Sequence, residues 1–380
     1  MAVTILAINP GSTSTKCAVY RDAEELWKKG LNHGSGELGR FPRIQDQFAF
    51  RAGAIRESLR GAPRVSLAEL SAVVGRGGLL KPLAGGVYEV NERMKSDLLA
   101  CRYGTHASNL GALIADSIAA EIGVKAYIVD PVVVDELDPL ARYSGVPEIP
   151  RRSIFHALNQ KATAKKAAGC LGKPYGECIL VVAHMGGGTS IGLHVGGRVV
   201  DVNNALDGEG PFAIERAGTV PAGDWMRYVL AHQHDPRGLQ MKLTGGGGLV
   251  AYLGTNEFPA IERAAEAAAP AEPAASAGSA AEAGGSGALD GALCAELVDA
   301  LCYQVAKCIA GLAAFTAGRL DAVVLTGGLA FSGRVVREIS RRVSFLAPVL
   351  VFAGENELEA LASGVREVLR GEAEAKVYAG

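Results

Sequence analysis

Three short turns rich in glycine and hydroxyl residues each follow an apolar stretch of this chain. They read NPGSTSTK at 9–16, HMGGGTS at 184–190 and TGG at 326–328. Small side chains let a backbone come close to a phosphate group, and hydroxyls and amides donate hydrogen bonds to its oxygens. The turns therefore predict binding of a polyphosphate such as a nucleotide. Ordinary β-turns use the same residue types, so each turn taken alone also has a purely structural explanation.

The second turn is the most informative, because three consecutive glycines between two strands weaken a sheet unless something must approach the backbone. In the first turn, Lys16 adds a cation to the hydroxyls. The groups predicted to contact the phosphates across the three turns are Asn9, Ser12, Ser14, Lys16, His184, Gly186, Gly187, Gly188, Thr326, Gly327 and Gly328.

The elements that must position these turns are short apolar strands alternating with helices. Strands that run directly into polar turns indicate an α/β fold with a site at the strand ends. No strand–GxGxxG–helix and no GxxxxGK[ST] segment occurs, which disfavours a dinucleotide-binding fold and excludes a P-loop enzyme. We predict strands over 3–8, 17–20, 126–129, 178–183, 198–202, 322–325 and 349–352, and helices over 107–122, 154–168, 295–318 and 358–369. A further apolar run over 67–74 leads into GRGG at 75–78, so Arg76 follows an apolar strand.

Length and composition limit the possible classes of protein. The length of 380 residues predicts two or three domains of roughly 100–200 residues each. A net charge of −2 without long basic runs gives no sign of nucleic-acid binding. The seven cysteines are odd in number and lack a CxxC pair, which argues against a disulfide framework. Neither a signal peptide nor a membrane-length apolar stretch is predicted, so a cytoplasmic location is expected.

One segment differs in composition from everything around it. Residues 259–291 consist mainly of Ala, Glu, Gly, Ser and Pro. This composition predicts a flexible, solvated insertion, with some helix at its beginning.

Longer motifs resemble a known family of enzymes. The segment AINPGSTSTK at 7–16 looks like the N-terminal signature of the acetokinase family, and the three turns together resemble the phosphate and adenosine motifs of the acetate and sugar kinase, heat-shock ATPase and actin superfamily. Four further segments resemble the butyrate kinase branch of this family, namely GRGGLLKP at 75–82, IPRRSIFHALNQK at 149–161, DVNNALDGEGPF at 201–212 and ERAGT at 215–219. The resemblance covers nearly the whole chain except about 259–291.

The resemblance implies a fold of two ribonuclease-H-like, actin-like ATPase domains with an interdomain cleft. The first would comprise 1–148 and bind the acyl substrate, with the C-terminal helix of about 358–380 packing back onto it. The second would comprise 149–357 and bind the nucleotide. A homodimer or larger assembly is also implied.

Catalytic roles follow from the same resemblance. Arg76 is similar to the arginine that binds the substrate carboxylate, a task that suits a forked guanidinium. His156 matches the histidine that donates a hydrogen bond to the transferring phosphoryl group. Asp130 and Glu357 match acids linked to Mg²⁺, with Glu355 as the alternative to Glu357. Arg216 is expected to supply a second positive group, although acetate kinases carry theirs in a Gly-Thr-Arg-Ser-Gly-Asp segment that this chain lacks.

The activity implied is transfer of phosphate from ATP to a short-chain fatty acid, with butyrate as the first substrate, Mg²⁺ as cofactor and direct in-line transfer as the mechanism. Isobutyrate, propionate and acetate stay open, because one methylene changes discrimination by only about 1–3 kcal/mol. A sugar kinase and a non-catalytic actin-like ATPase module are the alternatives from other classes. A sugar kinase would need an aspartate base for a hydroxyl, whereas a carboxylate substrate needs no base.

Overall fold

The computed structural model describes residues 2–268 and 289–380, which divide into two compact units. The first unit comprises Met1–Glu136, His156–Ala162 and Asn356–Gly380, and the second comprises Leu137–Phe155 and Thr163–Glu355. The first continuous stretch of the first unit ends at Glu136, whereas the predicted boundary is at 148. Just after Glu136, the Asp138 amide donates to the Val200 carbonyl at 2.8 Å, which connects this segment to the second unit.

The first unit is built on a seven-stranded sheet in the order β12-β5-β6-β4-β1-β2-β3. Strands β1, β2 and β3 form an antiparallel meander, whereas β4 and β6 extend the sheet in parallel beside β1. Its strands are β1 Thr4–Pro10, β2 Ser14–Arg21, β3 Glu24–Asn32, β4 Ala72–Arg76, β5 Val87–Glu89, β6 Lys125–Val129 and β12 Lys376–Val377.

The second unit carries a five-stranded sheet in the order β11-β10-β7-β8-β9. Here β7, β8 and β9 form the antiparallel meander, and β10 and β11 add in parallel beside β7. The order matches that of β3-β2-β1-β4-β6, so the two units repeat one strand plan. The strands are β7 Ile179–Met185, β8 Thr189–Val195, β9 Arg198–Val202, β10 Ala322–Gly327 and β11 Val349–Ala353.

Helices cover both faces of each sheet, as parallel strands require. In the first unit one face packs against Leu110 and Ile114, and the other against Leu361 and Val365. The described helices are α1 Ser35–Leu38, α2 Phe48–Arg60, α3 Glu92–Leu99, α4 Asn109–Ile122, α5 Ala157–Leu171, α6 Ala222–Ala231, α7 Pro236–Thr244, α8 Gly248–Leu253, α9 Phe258–Ala267, α10 Gly291–Ala313, α11 Gly333–Val343 and α12 Glu357–Leu369.

The predicted insertion begins with an ordered helix. Helix α9 buries Phe258, Ile261 and Ala265 in the core of the second unit, so the first part of the predicted insertion belongs to the folded unit. Residues 269–288 of the predicted insertion lie outside the described residues.

One helical stretch, Gly291–Thr316, is long and apolar enough by composition to cross a membrane. The sequence prediction did not identify such a stretch. Its apolar residues, including Leu301 and Val305, pack in the core of the second unit, which explains the apolar composition without a membrane.

Candidate active site

Neighbouring parallel strands place two predicted site residues side by side in the first unit. Asn9 lies near the end of β1 and Arg76 ends β4, and these strands pair in parallel with Ile8 opposite Gly75. Parallel strands end at the same edge of a sheet, so their last side chains meet. Arg76 Nη1 lies 3.4 Å from Asn9 Oδ1.

Glu357 joins this pair from the first turn of α12. Its Oε2 accepts from Arg76 Nη1 at 3.0 Å and also from the Asn9 side-chain amide. The Arg76 and Glu357 side chains are 21% and 10% exposed, so the ion pair is largely shielded from water. We call Asn9, Arg76 and Glu357 the Arg76 cluster. The structure thus brings together a predicted phosphate ligand, the predicted carboxylate-binding arginine and the predicted Mg²⁺-linked acid.

The Arg76 cluster keeps several groups available for ligands. Arg76 uses only Nη1, so its Nε–H and both Nη2–H groups donate to no acceptor in the described chain. Glu357 Oε1 likewise accepts no hydrogen bond from the described residues. A guanidinium edge with two parallel N–H groups suits a carboxylate or phosphoryl oxygen pair.

The glycines around Arg76 have a packing role that the sequence pattern does not reveal. A Cβ on Gly75 would overlap the Gly111 carbonyl of α4, and a Cβ on Gly111 would overlap the Arg76 carbonyl. A Cβ on Gly78 would collide with Asn109. These glycines let α4 press directly on the strand end that carries Arg76.

The predicted residues Asp130 and His156 also belong to the first unit. Asp130 follows β6 with a left-handed φ of 37°, and its Oδ1 accepts from the Gly86 amide at 2.7 Å. A non-glycine residue in this conformation is strained and persists only where its surroundings hold it. His156 directly precedes α5, and its carbonyl accepts from the Gln160 amide at 2.9 Å.

A buried arginine that the sequence pattern does not identify donates hydrogen bonds to the backbone of the first turn. The turn closes with the Gly11 amide donating to the Ser14 carbonyl at 2.7 Å. Ser12 and Lys16 are exposed and Ser14 is half-buried. Arg51 of α2 is fully buried and donates to carbonyl oxygens of this turn. Its only sequence signal would have been a charged residue on the buried face of a helix, and α2 itself was not predicted.

The second turn lies in the second unit, at the end of β7. His184 is 1% exposed, and its Nε2 lies 3.6 Å from Glu355 Oε1. The turn is narrow, since the Gly186 amide donates to the Gly188 carbonyl at 3.0 Å. Added Cβ atoms on Gly186 would meet nothing closer than 3.9 Å, which leaves that side open. Glu355, the alternative acid, therefore accompanies His184 in this unit.

Arg216 packs against the second turn. A Cβ on Gly188 would overlap its guanidinium, and its Nη1 donates to the Ala205 carbonyl at 2.7 Å. Burial lowers the pKa of the Arg216 guanidinium from its ordinary value, an effect that Glu215 and Asp207 oppose. Arg216 is thus grouped with the glycine turn, whereas Arg76 is grouped with Asn9 and Glu357 in the first unit.

The third turn follows β10, which pairs in parallel with β7 so that Thr326 lies opposite His184. Thr326 is fully buried, and its hydroxyl donates to the Gly354 carbonyl at 3.1 Å. Gly327 has φ of 87°, and a Cβ there would overlap the Met185 backbone. Gly328 has open space beside its Cα. Thr326 and Gly327 therefore shape this turn, and Gly328 provides its open surface.

Two of the long motifs are joined through Arg151. Its Nη1 donates to Asp201 at 2.9 Å and its Nε to Glu209 at 2.5 Å, and both acids lie in the 201–212 segment. Asn203 binds both the Thr189 and the Glu209 carbonyls at 3.0 Å. These contacts connect β9 and the segment after it to Thr189, the first residue of β8, and so support the fold beside the second turn.

The possible metal donors are few. In the part of the chain that the structure describes, no group of three or more His, Cys, Asp and Glu side chains is arranged to hold a metal ion. Mg²⁺ does not require such a cage, because it usually keeps several waters and takes one or two protein carboxylates beside phosphate oxygens. The Glu357 Oε1 atom, which the Arg76 cluster leaves available, fits that need.

Comparison with known structures identifies proteins that share this fold. No protein-family model matches the chain. The acetate kinase of Porphyromonas gingivalis superposes with a TM-score of 0.75 at 16% identity, over 97% of this chain and all of that one. A propionate kinase from Francisella tularensis superposes with a TM-score of 0.69 at 17% identity, over 95% and 98% of the two chains. Both support the two-domain α/β architecture.

Sequence comparison gives the family. Butyrate kinase 1 of Clostridium acetobutylicum is 48% identical over 98% of this chain and 99% of the relative. Butyrate kinase 2 of the same organism is 46% identical over the full length of both. A probable butyrate kinase of Coprothermobacter proteolyticus is 47% identical, again over both full lengths. Together with the glycine turns and the Arg76 cluster, these full-length matches show that the chain belongs to the butyrate kinase family.

Proposed function

We propose that this protein transfers the γ-phosphoryl group of ATP to the carboxylate of a short-chain fatty acid, forming an acyl phosphate and ADP, with butyrate as the preferred acid. The observation that carries the proposal is the full-length identity of 46–48% to butyrate kinases. The Arg76 cluster supports it, because a carboxylate kinase needs a cation for its anionic acceptor.

The central difficulty of the reaction is that both reactants are anions. An enzyme must cancel their repulsion and hold the attacking and leaving oxygens in line. In our proposal the unused Nε and Nη2 edge of Arg76 binds the acid carboxylate. The carboxylate needs no general base, since it is already an ionised nucleophile at neutral pH.

The phosphoryl group is the second part of the proposal. The hydroxyls and amides of the first turn, together with Lys16 and His156, would bind oxygens of the phosphoryl group that is transferred. The Gly186–Gly188 turn with Arg216 and His184, and the open edge at Gly328, would receive the remaining phosphates and the adenosine. The contribution of these groups would be positioning and charge, as is usual in phosphoryl transfer.

Mg²⁺ is the proposed cofactor, and when bound it would neutralise phosphate charge. Glu357 Oε1 is the proposed protein contact, either directly or through a water molecule, with Asp130 as the second candidate. Asp130 already accepts a backbone hydrogen bond from Gly86, so its oxygens are partly committed. A cytoplasmic location and a homo-oligomeric state belong to this proposal as well.

Other acids remain as outcomes of the test. Propionate and acetate are one and two carbons shorter than butyrate, and isobutyrate is its branched isomer, so a binding pocket would distinguish them only by modest apolar contacts. A sugar kinase or an actin-like ATPase module would share the glycine turns but would have no use for an arginine edge at the Arg76 cluster.

A hydroxamate-trapping assay with ATP, Mg²⁺ and a panel of C2–C6 acids tests the proposal. We expect acyl hydroxamate with the highest kcat/KM for butyrate, and loss of turnover on chelation of Mg²⁺. ATP binding without an acyl phosphate from any acid in the panel would overturn it, and phosphorylation of a sugar instead would favour the alternative kinase.

A further inference from the structure

Arg51 lies on the buried side of the first turn and contacts it through both terminal nitrogens of its guanidinium. Nη1 donates to the Gly11 carbonyl at 2.9 Å and to the Ser14 carbonyl at 3.0 Å, and Nη2 donates to the Ser12 carbonyl at 3.0 Å. Nη1 also reaches the Thr15 hydroxyl at 3.0 Å. Three carbonyls of one exposed turn are therefore directed toward a single buried cation.

The remaining contacts of Arg51 are neutral too. Gln47 Oε1 accepts from Nε at 3.0 Å and from Nη2 at 2.9 Å. Across the described ranges 2–268 and 289–380, no carboxylate pairs with this guanidinium, although its exposure is 0%. Arginine stays protonated inside proteins, so the positive charge is real and uncompensated. A buried charge without a counter-ion costs stability, which a purely structural contact would not require.

The exposed residues of the turn offer hydrogen-bond donors, whereas three of its carbonyl acceptors are bound to Arg51. With three carbonyls tied back, the backbone amides of Ser12 and Thr13 donate to no acceptor within the described chain, and both residues are exposed. The hydroxyls of Ser12 and Thr13 are similarly uncommitted. Successive exposed N–H groups without a partner in the described chain, in a turn that binds a buried cation, form a site that attracts anions.

The base of the turn is fixed by a second buried residue. His33 is 6% exposed, its Nε2 lies 2.9 Å from Thr15 Oγ1, and its amide donates to the Thr13 carbonyl at 2.8 Å. Burial and the charge of Arg51 both lower the pKa of His33 from its ordinary value. His33 thus favours its neutral form, and Arg51 supplies the charge.

We propose that Arg51 is a positioning residue of the kinase reaction: its uncompensated charge and its grip on the turn carbonyls prepare the first turn to receive a phosphoryl group. The inference deepens the proposed function and rests on it. Arg51 acts through the turn and touches no substrate itself.

The variant Gln47→Glu tests the charge while preserving the shape. Glutamate keeps an oxygen that accepts from Nε and Nη2, but it gives Arg51 the counter-ion that it lacks. In the reverse reaction, acyl phosphate with ADP, we expect kcat/KM for the acyl phosphate to fall about tenfold, a change that one neutralised charge near the site can produce. The KM for ADP, which lacks the transferring phosphoryl group, should stay within about twofold of the parent value. The thermal midpoint should not decrease.

Arg60→Gln is the matched control, because it makes the same change in net charge on an exposed residue of α2, the helix that Gln47 directly precedes. It should leave both parameters at parent values. A folded Gln47→Glu variant with unchanged kcat/KM for the acyl phosphate would overturn the inference. A KM for ADP that rises by the same factor as kcat/KM for the acyl phosphate falls would also overturn it.

Arg51→Lys decides the question if Gln47→Glu does not fold. Lysine keeps the charge but cannot hold three carbonyls and Gln47 at once, so we expect the same selective loss for the acyl phosphate, and its absence would overturn the inference. The parent chain separates the two proposals: a parent inactive with every acid contradicts the proposed function, whereas an active parent with insensitive variants contradicts only the role of Arg51.

Discussion

The Arg76 cluster shows how one side chain can be both held and available. A single nitrogen, Nη1, makes the contacts with Asn9 and Glu357 and holds the guanidinium beside them. The other edge keeps three N–H groups for a ligand. Because Glu357 also retains one oxygen, the cluster can engage a cation and an anion without breaking its internal ion pair.

The first prediction concerns Arg76 itself. Arg76→Ala should lower kcat/KM for the acid by about 10²–10³, the typical cost of removing one preorganised donor. Arg76→Lys should recover little, since an ammonium cannot present two parallel N–H groups. Steady-state kinetics with circular dichroism measures activity and folding together. Arg21→Ala is the control, because its ion pair with Glu69 is exposed. Near-parental activity of a folded Arg76→Ala variant would remove Arg76 from the site.

The second prediction concerns the thiols, since burial decides their reactivity. Burial raises the pKa of Cys17 and of Cys302 to about 12 each. The thiolate is the reactive form, so both should resist alkylation at pH 8, whereas the exposed Cys170 should react. Mass spectrometry after brief iodoacetamide treatment checks the sites, and denatured protein labelled at all seven cysteines is the control. Rapid native labelling of Cys17 would contradict this description of the core.

At the scale of elements, the contact between α4 and β4 supports the site. Gly75 and Gly111 allow two backbones to touch at the strand end that carries Arg76. A methyl group there would have to move either the helix or the strand. The position of Arg76 thus depends on a helix that contributes no side chain to the Arg76 cluster.

The third prediction tests this contact with two substitutions of the same kind. Gly111→Ala should destabilise the protein by about 1–3 kcal/mol, as overpacking does, and should also lower kcat/KM. Gly53→Ala, on an exposed part of α2 with nothing within 4 Å of the added Cβ, should instead stabilise by about 0.5–1 kcal/mol. Urea unfolding measures both free energies. Equal effects of the two substitutions would show that the backbone contact is unimportant.

The elements that the sequence predicts well are the buried central ones. Strands β1, β7 and β10 each contain a continuous apolar run, so the predictions at 3–8, 178–183 and 322–325 are confirmed within a few residues. Strand β3 was missed because most of its residues are exposed or half-buried and it reads EELWKKGLN. Helix α2 was missed as well, and with it Arg51.

The candidate site shows the same division. Residues that end apolar strands, such as Asn9 and Arg76, can be predicted because chain direction places them at one edge. The packing role of Gly75 and Gly327 cannot be predicted in this way, because a glycine pattern does not reveal whether ligand or backbone fills the space. Arg51 needs tertiary contacts for its detection, since nothing in the local sequence relates it to a turn 37–40 residues away.

At the scale of the whole molecule, the two units repeat one strand plan and differ in what they add to it. Helices α9 and α10 extend the second unit and bring Ala268 and Gly291, which flank residues 269–288, close together. A Cβ on Gly291 would lie 3.2 Å from that of Ala268. The chain can therefore be closed here with a short connection.

The last prediction uses this closure. Replacing residues 269–288 by a four-residue Gly-Ser linker should keep kcat/KM for the acid within about twofold of the parent value, because α9 retains its buried Phe258 and Ile261. The free energy of unfolding should rise by about 1 kcal/mol, since a shorter loop costs less entropy to close. A Gly-Ser segment of the original length separates the effect of length from that of sequence. If activity falls equally in both variants while folding persists, the alanine-rich sequence itself takes part in function, and its interpretation as a solvated insertion is wrong.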